Sequence, residues 1–283
     1  MKGAAFRYGA LVVFIAGVAA PAIAADVAVT EADRVSLNFT REAATVGHKQ
    51  VRLEVRAMSI EDDANPELNL IGFATEGVNR RKGDKITRIR GGIFDLLGSV
   101  GLGDNAELGF DVPFLIQKTE FDTLGNENDE DIGDVSLYGK FKRKVAERCV
   151  LAAGLEIKMP TGIERKQFGT GELGLNPFAS TRYTRGRFSL GGHVGWYIYS
   201  GSVPDVFNYS VEAIARGSER YALRVEFSGR RFKDFGETFD DIVVQPGFDF
   251  LLTDSIVIRP NGLIGVTPEA VDWGIGLGLA LLL

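Results

Sequence analysis

The end of the chain alternates strictly between two kinds of side chain. One parity carries only large apolar residues, namely Val271, Trp273, Ile275, Leu277, Leu279, Leu281 and Leu283. The other carries mostly small or polar residues, namely Asp272, Gly274, Gly276, Gly278, Ala280 and Leu282. Because successive side chains of a β-strand point to opposite faces of the sheet, this period of two predicts a strand with one wholly apolar face.

The same alternation recurs upstream and predicts about twelve strands. In residues 106–118, for example, Leu108, Phe110 and Val112 occupy one parity. Strands of about ten residues suit a tilted crossing of a bilayer and are about twice as long as ordinary soluble strands. The predicted strands cover residues 48–60, 85–101, 106–118, 133–144, 149–159, 175–184, 187–199, 206–216, 220–231, 241–252, 255–266 and 271–283.

The predicted connections alternate between long and short. Long loops are expected at residues 61–84, 119–132, 160–174 and 232–240. Short turns are expected at residues 103–105, 145–148, 185–186, 217–219 and 253–254. Outer-membrane barrels have short periplasmic turns and longer outside loops, so an even number of strands places both ends of the barrel segment in the periplasm.

A sheet that crosses lipid must close on itself, because every backbone N–H and C=O group has to be paired within the protein. The sequence therefore predicts an all-β fold, a transmembrane antiparallel up-and-down β-barrel of about twelve strands. A soluble β-sandwich is the alternative, but the strand lengths and the loop alternation favour the barrel. Aromatic residues near both ends of the predicted strands agree with interfacial belts; they are Trp196, Tyr197, Tyr199 and Trp273 at one end and Tyr183, Phe188, Tyr221 and Phe250 at the other.

The N-terminus has the three parts of a secretory signal peptide. Lys2 and Arg7 precede an apolar run at residues 11–20, and Ala22-Ile23-Ala24 forms a small-residue cleavage pattern. An uncleaved anchor is the alternative, but the apolar run is short for a spanning helix. We therefore expect a signal peptide at residues 1–25, a periplasmic lead-in at 26–47 and a barrel at 48–283, located in the outer membrane of a Gram-negative bacterium.

Charge and motifs exclude several kinds of ligand. The net charge of −6 gives no electrostatic basis for binding nucleic acid, and the single Cys149 excludes an intrachain disulfide. The pattern GxGxxG at residues 169–174 is followed by another alternating segment, whereas a dinucleotide site needs a helix there. The acidic run at 126–134 lacks the spacing of a calcium loop and predicts a solvated loop. We expect no cofactor, no metal and no catalytic residue.

Charged residues on the non-apolar parity are expected to face the barrel interior, since charges facing lipid are costly. They either form a plug of ion pairs or line a selective passage, and the alternation of side chains does not distinguish these two possibilities. These candidates for lining the pore are Arg52, Glu54, Arg56, Arg88, Arg90, Lys140, Lys142, Glu156, Lys158, Arg182, His193, Glu212, Arg224, Glu226, Arg230, Asp249 and Arg259.

His193 also raises the possibility of an outer-membrane enzyme that modifies lipid. A nucleophilic serine must be in hydrogen-bond contact with the histidine that activates it. Ser189 is four residues away along the same predicted strand, about 13 Å at the usual rise, so a serine would have to come from another strand. A polar histidine inside the barrel is the favoured interpretation.

Four motifs between residues 101 and 177 resemble those of a known family. They are Gly101 to Gly109 (GLGDNAELG), Asp131 to Lys140 (DIGDVSLYGK), Lys158 to Gly162 (KMPTG) and Gly169 to Pro177 (GTGELGLNP). In this order they resemble the outer-membrane transporter-like family of the meta-pathway of phenol degradation, a family of β-barrels. The resemblance implies a barrel that admits small compounds, including aromatic or apolar ones, and brings no catalytic residues.

We therefore expect a non-enzymatic outer-membrane channel, a porin-like transporter for passive uptake of small molecules. Its expected partners are outer-membrane lipid and lipopolysaccharide, the barrel assembly machinery and a small-molecule solute. A plugged structural or surface-interaction barrel and a lipid-modifying enzyme are the alternatives.

Overall fold

The computed structural model describes residues 49–62, 86–121, 125–163, 168–234, 237–268 and 270–283. The predicted signal peptide, the lead-in at 26–47 and nearly all of the loop at 61–84 lie outside these residues. Within the described ranges the chain has no helix that is long and apolar enough to cross a membrane.

Thirteen β-strands make up nearly all of the described chain. They are β1 (Val51–Asp62), β2 (Ile86–Gly101), β3 (Ala106–Phe121), β4 (Asn126–Ile132), β5 (Val135–Ala146), β6 (Cys149–Met159), β7 (Gly174–Arg185), β8 (Phe188–Tyr199), β9 (Val206–Arg216), β10 (Tyr221–Asp234), β11 (Glu237–Thr253), β12 (Ile256–Gly265) and β13 (Trp273–Leu282). All pairings among them are antiparallel.

The strands close into a twelve-strand barrel, as predicted. Apart from β4 and β5, each strand pairs with its neighbours along the chain, and β13 returns to pair with β1. Val51 and Leu283 exchange two backbone hydrogen bonds of 2.9 and 2.8 Å at this seam. Strands β4 and β5 together fill one place in the ring, because both pair with β3, at Phe114–Glu120 and Ala106–Asp111 respectively.

Two predicted loops are largely strand, and both predictions were wrong. Residues 126–132, expected as a solvated loop, form β4, which pairs with an extended β3. Residues 232–240, expected as a long loop, continue the β10–β11 hairpin as far as the pair Asp234 and Glu237. Residues 126–131 carry no apolar side chain, so no alternation marks them as a strand. Residues 232–240 are mostly polar, and their apolar side chains do not alternate; Phe232 and Phe239 instead stack on each other across the hairpin.

The two ends of the barrel differ. One end, called here the turn end, holds the tight turns at 102–105, 147–148, 186–187, 217–220 and 254–255, together with both ends of the described barrel. The opposite end, called here the loop end, holds the longer connections at 160–173, 200–205 and 266–272. This arrangement matches the predicted alternation of short and long connections.

The outer wall is apolar and the interior is polar. Large side chains such as Leu151, Leu190 and Leu277 are about half exposed on the outside, whereas buried positions on the other parity hold charged, polar and small residues. In water such an outer surface would be unfavourable, so the wall fits a hydrocarbon surrounding.

Aromatic rings packed over glycines help to set the strand register. At four cross-strand pairs, a side chain on the glycine would overlap the ring on the neighbouring strand, and glycine alone leaves the ring room. Such pairs stabilise sheets at positions where glycine lacks a side chain of its own. They are Gly98 with Phe110, Gly109 with Tyr138, Gly154 with Phe178, and Gly229 with Tyr209.

Candidate channel lumen

A chain of ion pairs runs across the barrel interior from β7 to β1. Arg182 Nη2 lies 2.9 Å from Glu212 Oε2, and Glu212 also pairs with Arg224. Arg224 Nη2 lies 2.6 Å from Asp249 Oδ2. Each side chain projects inward because it occupies the same parity of its strand as the other buried polar residues.

The chain continues to the barrel seam. Arg259 Nε lies 3.3 Å from Asp249 Oδ1, and Arg259 Nη1 lies 3.0 Å from Glu54 Oε2. Glu54 Oε1 then accepts a 2.8 Å hydrogen bond from Arg56 Nε. We call this set the ionic belt; it comprises Arg182, Glu212, Arg224, Asp249, Arg259, Glu54 and Arg56. Arg224 is 0% exposed and Arg259 1%, so the belt fills this part of the interior rather than leaving it open.

A smaller polar cluster lies on the opposite wall, near the turn end. Lys140 Nζ on β5 lies 3.5 Å from Glu107 Oε1 on β3, and both side chains are buried. The Tyr138 hydroxyl donates a 2.7 Å hydrogen bond to the same Glu107 oxygen. Glu107 was not among the sequence candidates, although it alternates with Leu108 and pairs in register with Lys140.

His193 lies in a buried hydrogen-bonded relay. Its Nε2 is 2.9 Å from Asn208 Oδ1, and its Nδ1 is 3.0 Å from the Ser180 hydroxyl. Asn208 donates to Asn176, which donates to Glu156, both at 3.4 Å. Because Asn208 presents an oxygen to Nε2, the neutral ring carries its proton there and accepts from Ser180. The serine thus comes from a neighbouring strand, and the group is sealed in the interior.

Three of the sequence motifs meet at Asp134, at the loop end. The Asp134 carboxylate accepts hydrogen bonds from Gly162 N at 3.1 Å and from both the backbone N and the hydroxyl of Thr170 at 2.8 Å. Thr161 adds two bonds, donating to Gly133 O and accepting from Val135 N. Asp134 therefore anchors the connection 160–173 to the barrel wall.

Glycine is required at this anchor because the chains approach closely. A Cβ at Gly162 would lie 2.7 Å from the Gly169 Cα, and a Cβ at Gly169 would overlap the Asp134 carboxylate. A Cβ at Gly133 would meet Pro113, Leu115 and the Phe168 carbonyl oxygen at 3.0–3.3 Å. Leu115 is buried on the interior face of β3, so Gly133 and the Phe168 backbone lie against the inside of the barrel mouth.

A second carboxylate joins this connection to its neighbour. Glu172 accepts hydrogen bonds from the backbone N–H groups of Gly201, Ser202 and Val203, the first at 2.8 Å. The connections 160–173 and 200–205 are therefore tied together at the loop end. Beneath them, Lys158 Nζ lies 4.8 Å from the centre of the Tyr197 ring.

An apolar pocket of about 50 Å³ lies between the ionic belt and the loop end. Its apolar lining comes mainly from β1, β2, β11 and β12, with one residue of the last connection, and consists of Met58, Ile60, Ile93, Val243, Leu263 and Val271. Ser228, Arg230 and Asp241 complete it, and Arg230 Nε donates a 2.9 Å hydrogen bond to Asp241. Of these residues, only Arg230 was among the sequence candidates; Asp241 was not, and the apolar residues carry no charge that marks them.

The structure places most sequence candidates on interior-facing positions. Ten are buried, namely Glu54, Lys140, Glu156, Arg182, His193, Glu212, Arg224, Glu226, Asp249 and Arg259. Five are partly buried on the same parities, namely Arg52, Arg56, Lys142, Lys158 and Arg230. Interior position alone does not assign these residues a role in the passage of solute.

The prediction that Arg88 and Arg90 face the interior is wrong, because both side chains lie on the outside of the barrel. Arg90 pairs in register with Glu61, which pairs with Trp273 on the apolar outer face. Arg90 Nε lies 3.5 Å and Arg88 Nε 3.3 Å from Glu61 Oε1. The parity was misassigned because Gly91 and Gly92 have no side chains to mark a face and because β2 has a register shift between Ile86 and Arg88.

The geometry is that of an outer-membrane β-barrel, and comparison with solved structures agrees at the level of fold. An outer-membrane channel from Pseudomonas putida F1 superposes with a TM-score of 0.65 at 12% identity, over 87% of this chain and 100% of that one. The translocator domain of the autotransporter NalP from Neisseria meningitidis gives 0.52 at 10% identity, over 83% and 88%. The NanC porin gives 0.50 at 7% identity, over 81% and 98%. No family model and no curated protein matches the sequence.

Proposed function

We propose that this protein is a passive outer-membrane channel for small molecules, aromatic or apolar compounds among them. The single observation that carries the proposal is the interior of the closed barrel, where an apolar pocket at the loop end lies above a charged belt. A small molecule that enters the barrel at the loop end would meet apolar side chains first and fixed charges second. Such a sequence of surfaces suits solutes with an apolar body.

Two further observations support a channel. The Pseudomonas putida protein of the same fold is an outer-membrane channel. Three of the sequence motifs meet in space at Asp134, which bonds to Gly162 and Thr170, residues that lie 28 and 36 positions further along the chain. We therefore also propose membership of the transporter-like family of the meta-pathway of phenol degradation.

We propose that the protein is exported by its signal peptide and resides in the outer membrane, and the apolar outer wall supports this location. Lipid and lipopolysaccharide would surround the wall, and the barrel assembly machinery would insert it. The interior candidates that the structure buries or half-buries would line or gate the path, whereas Arg88 and Arg90 are excluded from that role by their outward position.

A plugged barrel is the second candidate, and the ionic belt favours it. Arg224, Glu226 and Gln245 are each 0% exposed, so the interior is filled at their level. Ion pairs of this density rigidify a barrel as well as select solutes. The channel proposal requires that the belt or the connection 160–173 rearranges when a solute passes.

The buried Ser180–His193 contact is the observation that bears on an enzyme. Both residues are inside the barrel, away from lipid, and are no more than 4% exposed. We therefore expect no lipid hydrolysis by the protein, and His193→Ala leaves any residual activity of a preparation unchanged.

Flux into liposomes tests the proposal directly. Vesicles containing the protein are loaded with buffer and mixed with small solutes of graded polarity, and swelling is followed by light scattering. A channel gives swelling with small solutes and none with solutes too large for the barrel. Vesicles that swell no faster than protein-free ones, with a barrel shown to be folded by its heat-dependent gel mobility, would favour the plugged barrel.

A further inference from the structure

Ser228, on one wall of the apolar pocket, and Gln245, which is adjacent to the pocket lining on β11, carry polar atoms without a hydrogen-bond partner among the described residues. The Ser228 hydroxyl lines the pocket, and Ser228 is 3% exposed. Neither amide atom of Gln245, a residue 0% exposed, has a hydrogen-bond partner among the described residues, and the Ser228 hydroxyl also has none. Burying such groups without a hydrogen-bond partner is unfavourable, so a native structure normally supplies one.

Strand register brings these groups to the same place. Ser228 on β10 is paired with Val243 on β11, a pocket residue. Gln245 follows Val243 on the same face, one step towards the turn end. The register that pairs Val243 with Gly265 and Gly247 with Asn261 sets Gln245 level with Leu263, another pocket residue. Gln245 is therefore flanked by the pocket lining on two strands.

A fourth unpaired atom, on a third residue, extends the same line. Asn261 on β12 donates through its Nδ2 to the Arg259 carbonyl at 3.3 Å, while its Oδ1 has no partner within the described part of the chain. The orphan atoms thus lie on three successive strands, β10, β11 and β12. Together they offer a hydroxyl, an amide N–H group and two amide oxygens, which suit a ligand that both donates and accepts.

The electrostatics of the pocket favour a neutral ligand. Its two charged lining residues, Arg230 and Asp241, are paired with each other. The remaining lining side chains are apolar apart from Ser228. A ligand charge would have to leave water without a counter-charge, which is costly in such surroundings.

The size of the pocket limits the part of the ligand that it holds. A water-sized group needs about 10–15 Å³ of such space, so about 50 Å³ holds roughly three to five heavy atoms. That is the size of a short alkyl chain with one polar end group.

We propose that this pocket is a binding subsite for the end of a neutral amphiphilic solute, a short apolar segment carrying a hydroxyl or amide group. Ser228 and Gln245 bind the polar group, and the aliphatic lining holds the apolar segment. The inference rests on the proposed channel and deepens it by naming a solute class and the residues that select it.

The test is a binding measurement that does not depend on conduction. Saturation-transfer NMR on the folded protein in detergent uses 1-butanol, butyrate and butylammonium as probes that share one alkyl chain. We expect millimolar binding of 1-butanol and at least tenfold weaker binding of both ions. Ser228→Ala and Gln245→Leu each weaken 1-butanol binding at least fivefold.

A matched control separates the subsite from general effects on the barrel. Ser99 is another buried serine without a partner among the described residues, and it lies on β2 near the turn end. Ser99→Ala therefore leaves 1-butanol binding unchanged, whereas Leu263→Trp, which fills the pocket, abolishes it. Each variant is first shown to fold by its heat-dependent gel mobility.

The outcomes distinguish the subsite from the channel. Three results would overturn the subsite: equal binding of the three probes, unchanged binding in both polar variants, or no binding of 1-butanol at all. The last result would mean that the unpaired atoms bind only water. Solute flux in liposomes together with any of these results leaves the channel standing without this subsite. Selective 1-butanol binding in a barrel that passes no solute supports the subsite and contradicts the channel.

Discussion

Arg259 on β12 and Glu54 on β1 form an ion pair of 3.0 Å across the strand that lies between them, β13. The pair is possible because Gly278 stands beneath it. A Cβ at Gly278 would lie 3.2 Å from the Arg259 Cβ and 3.4 Å from Glu54 Oε1. The small residues at alternate positions of the last strand, which the sequence shows, thus make room for charged side chains from both neighbouring strands.

Gly278→Leu is expected to destabilise the barrel, since the new side chain displaces Arg259 or Glu54 from the ionic belt. Overpacking of this kind costs about 1–3 kcal/mol. The measurement is the urea midpoint of the folded protein in detergent. Gly103→Leu is the matched control, because a Cβ at Gly103 has nothing within 4 Å. Equal midpoints for the two variants would mean that Gly278 is not required for the pair.

Arg224→Met is expected to lower the free energy of unfolding by about 3 kcal/mol, because it leaves Glu212 and Asp249 buried without their shared arginine. The loss is limited by Arg182 and Arg259, which still pair with these acids. Equilibrium unfolding in urea measures it.

The control for that experiment is an arginine pair on the outer surface. Arg231 and Asp240 also form a close pair, at 2.7 Å, but Arg231 is 59% exposed. Arg231→Met should therefore change stability little, as surface pairs contribute little. A belt variant as stable as this control would refute the stabilising role of the belt.

Asp134→Asn is expected to release the connection 160–173 from the barrel mouth. An amide cannot accept all three of the hydrogen bonds that the carboxylate accepts from Gly162 and Thr170. We predict faster cleavage of this connection by added protease and a larger fraction of time spent open in single-channel records. Asp104→Asn, in an exposed turn, is the control. Protease sensitivity equal to that of the control would contradict the anchoring role.

Lys158→Gln and Arg90→Gln should differ in their effect on ion selectivity. Lys158 lies over the inward-facing Tyr197, whereas Arg90 lies on the outer wall with Glu61. Loss of an interior positive charge raises the permeability of cations relative to anions, and loss of an outer-wall charge leaves it unchanged. Reversal potentials in a salt gradient measure both. A larger shift for Arg90→Gln than for Lys158→Gln would restore the original assignment of Arg90 to the interior.

The sequence predicted the barrel well because closure and strand direction depend on a simple repeat. An alternating strand such as β13 shows both of its faces in its composition, so its limits and the small parity at Gly278 could be recognised. The extension of β3 and the strand β4 could not be recognised, because Asn126–Ile132 is polar apart from its last residue and shows no alternation. Pairing with β3, rather than any local pattern, makes that segment a strand.

Interior contacts were harder to predict than interior positions. Parity placed His193 and Arg224 inside, but it could not show that Ser180 would lie beside His193 or that Arg224 would bridge Glu212 and Asp249. These partners depend on the register between strands, which the sequence of one strand does not specify. The same limit hid the role of Asp134, whose partners lie 28 and 36 residues further along the chain.

Single-channel conductance in a planar bilayer is the direct test of whether the barrel has a lumen that conducts ions. The folded protein, identified by its heat-dependent gel mobility, is added to one side, and current is recorded over a range of salt concentrations. The account predicts discrete openings whose size rises with salt concentration. A folded barrel that inserts but passes no current at any voltage or salt concentration would contradict it and establish a plugged barrel instead.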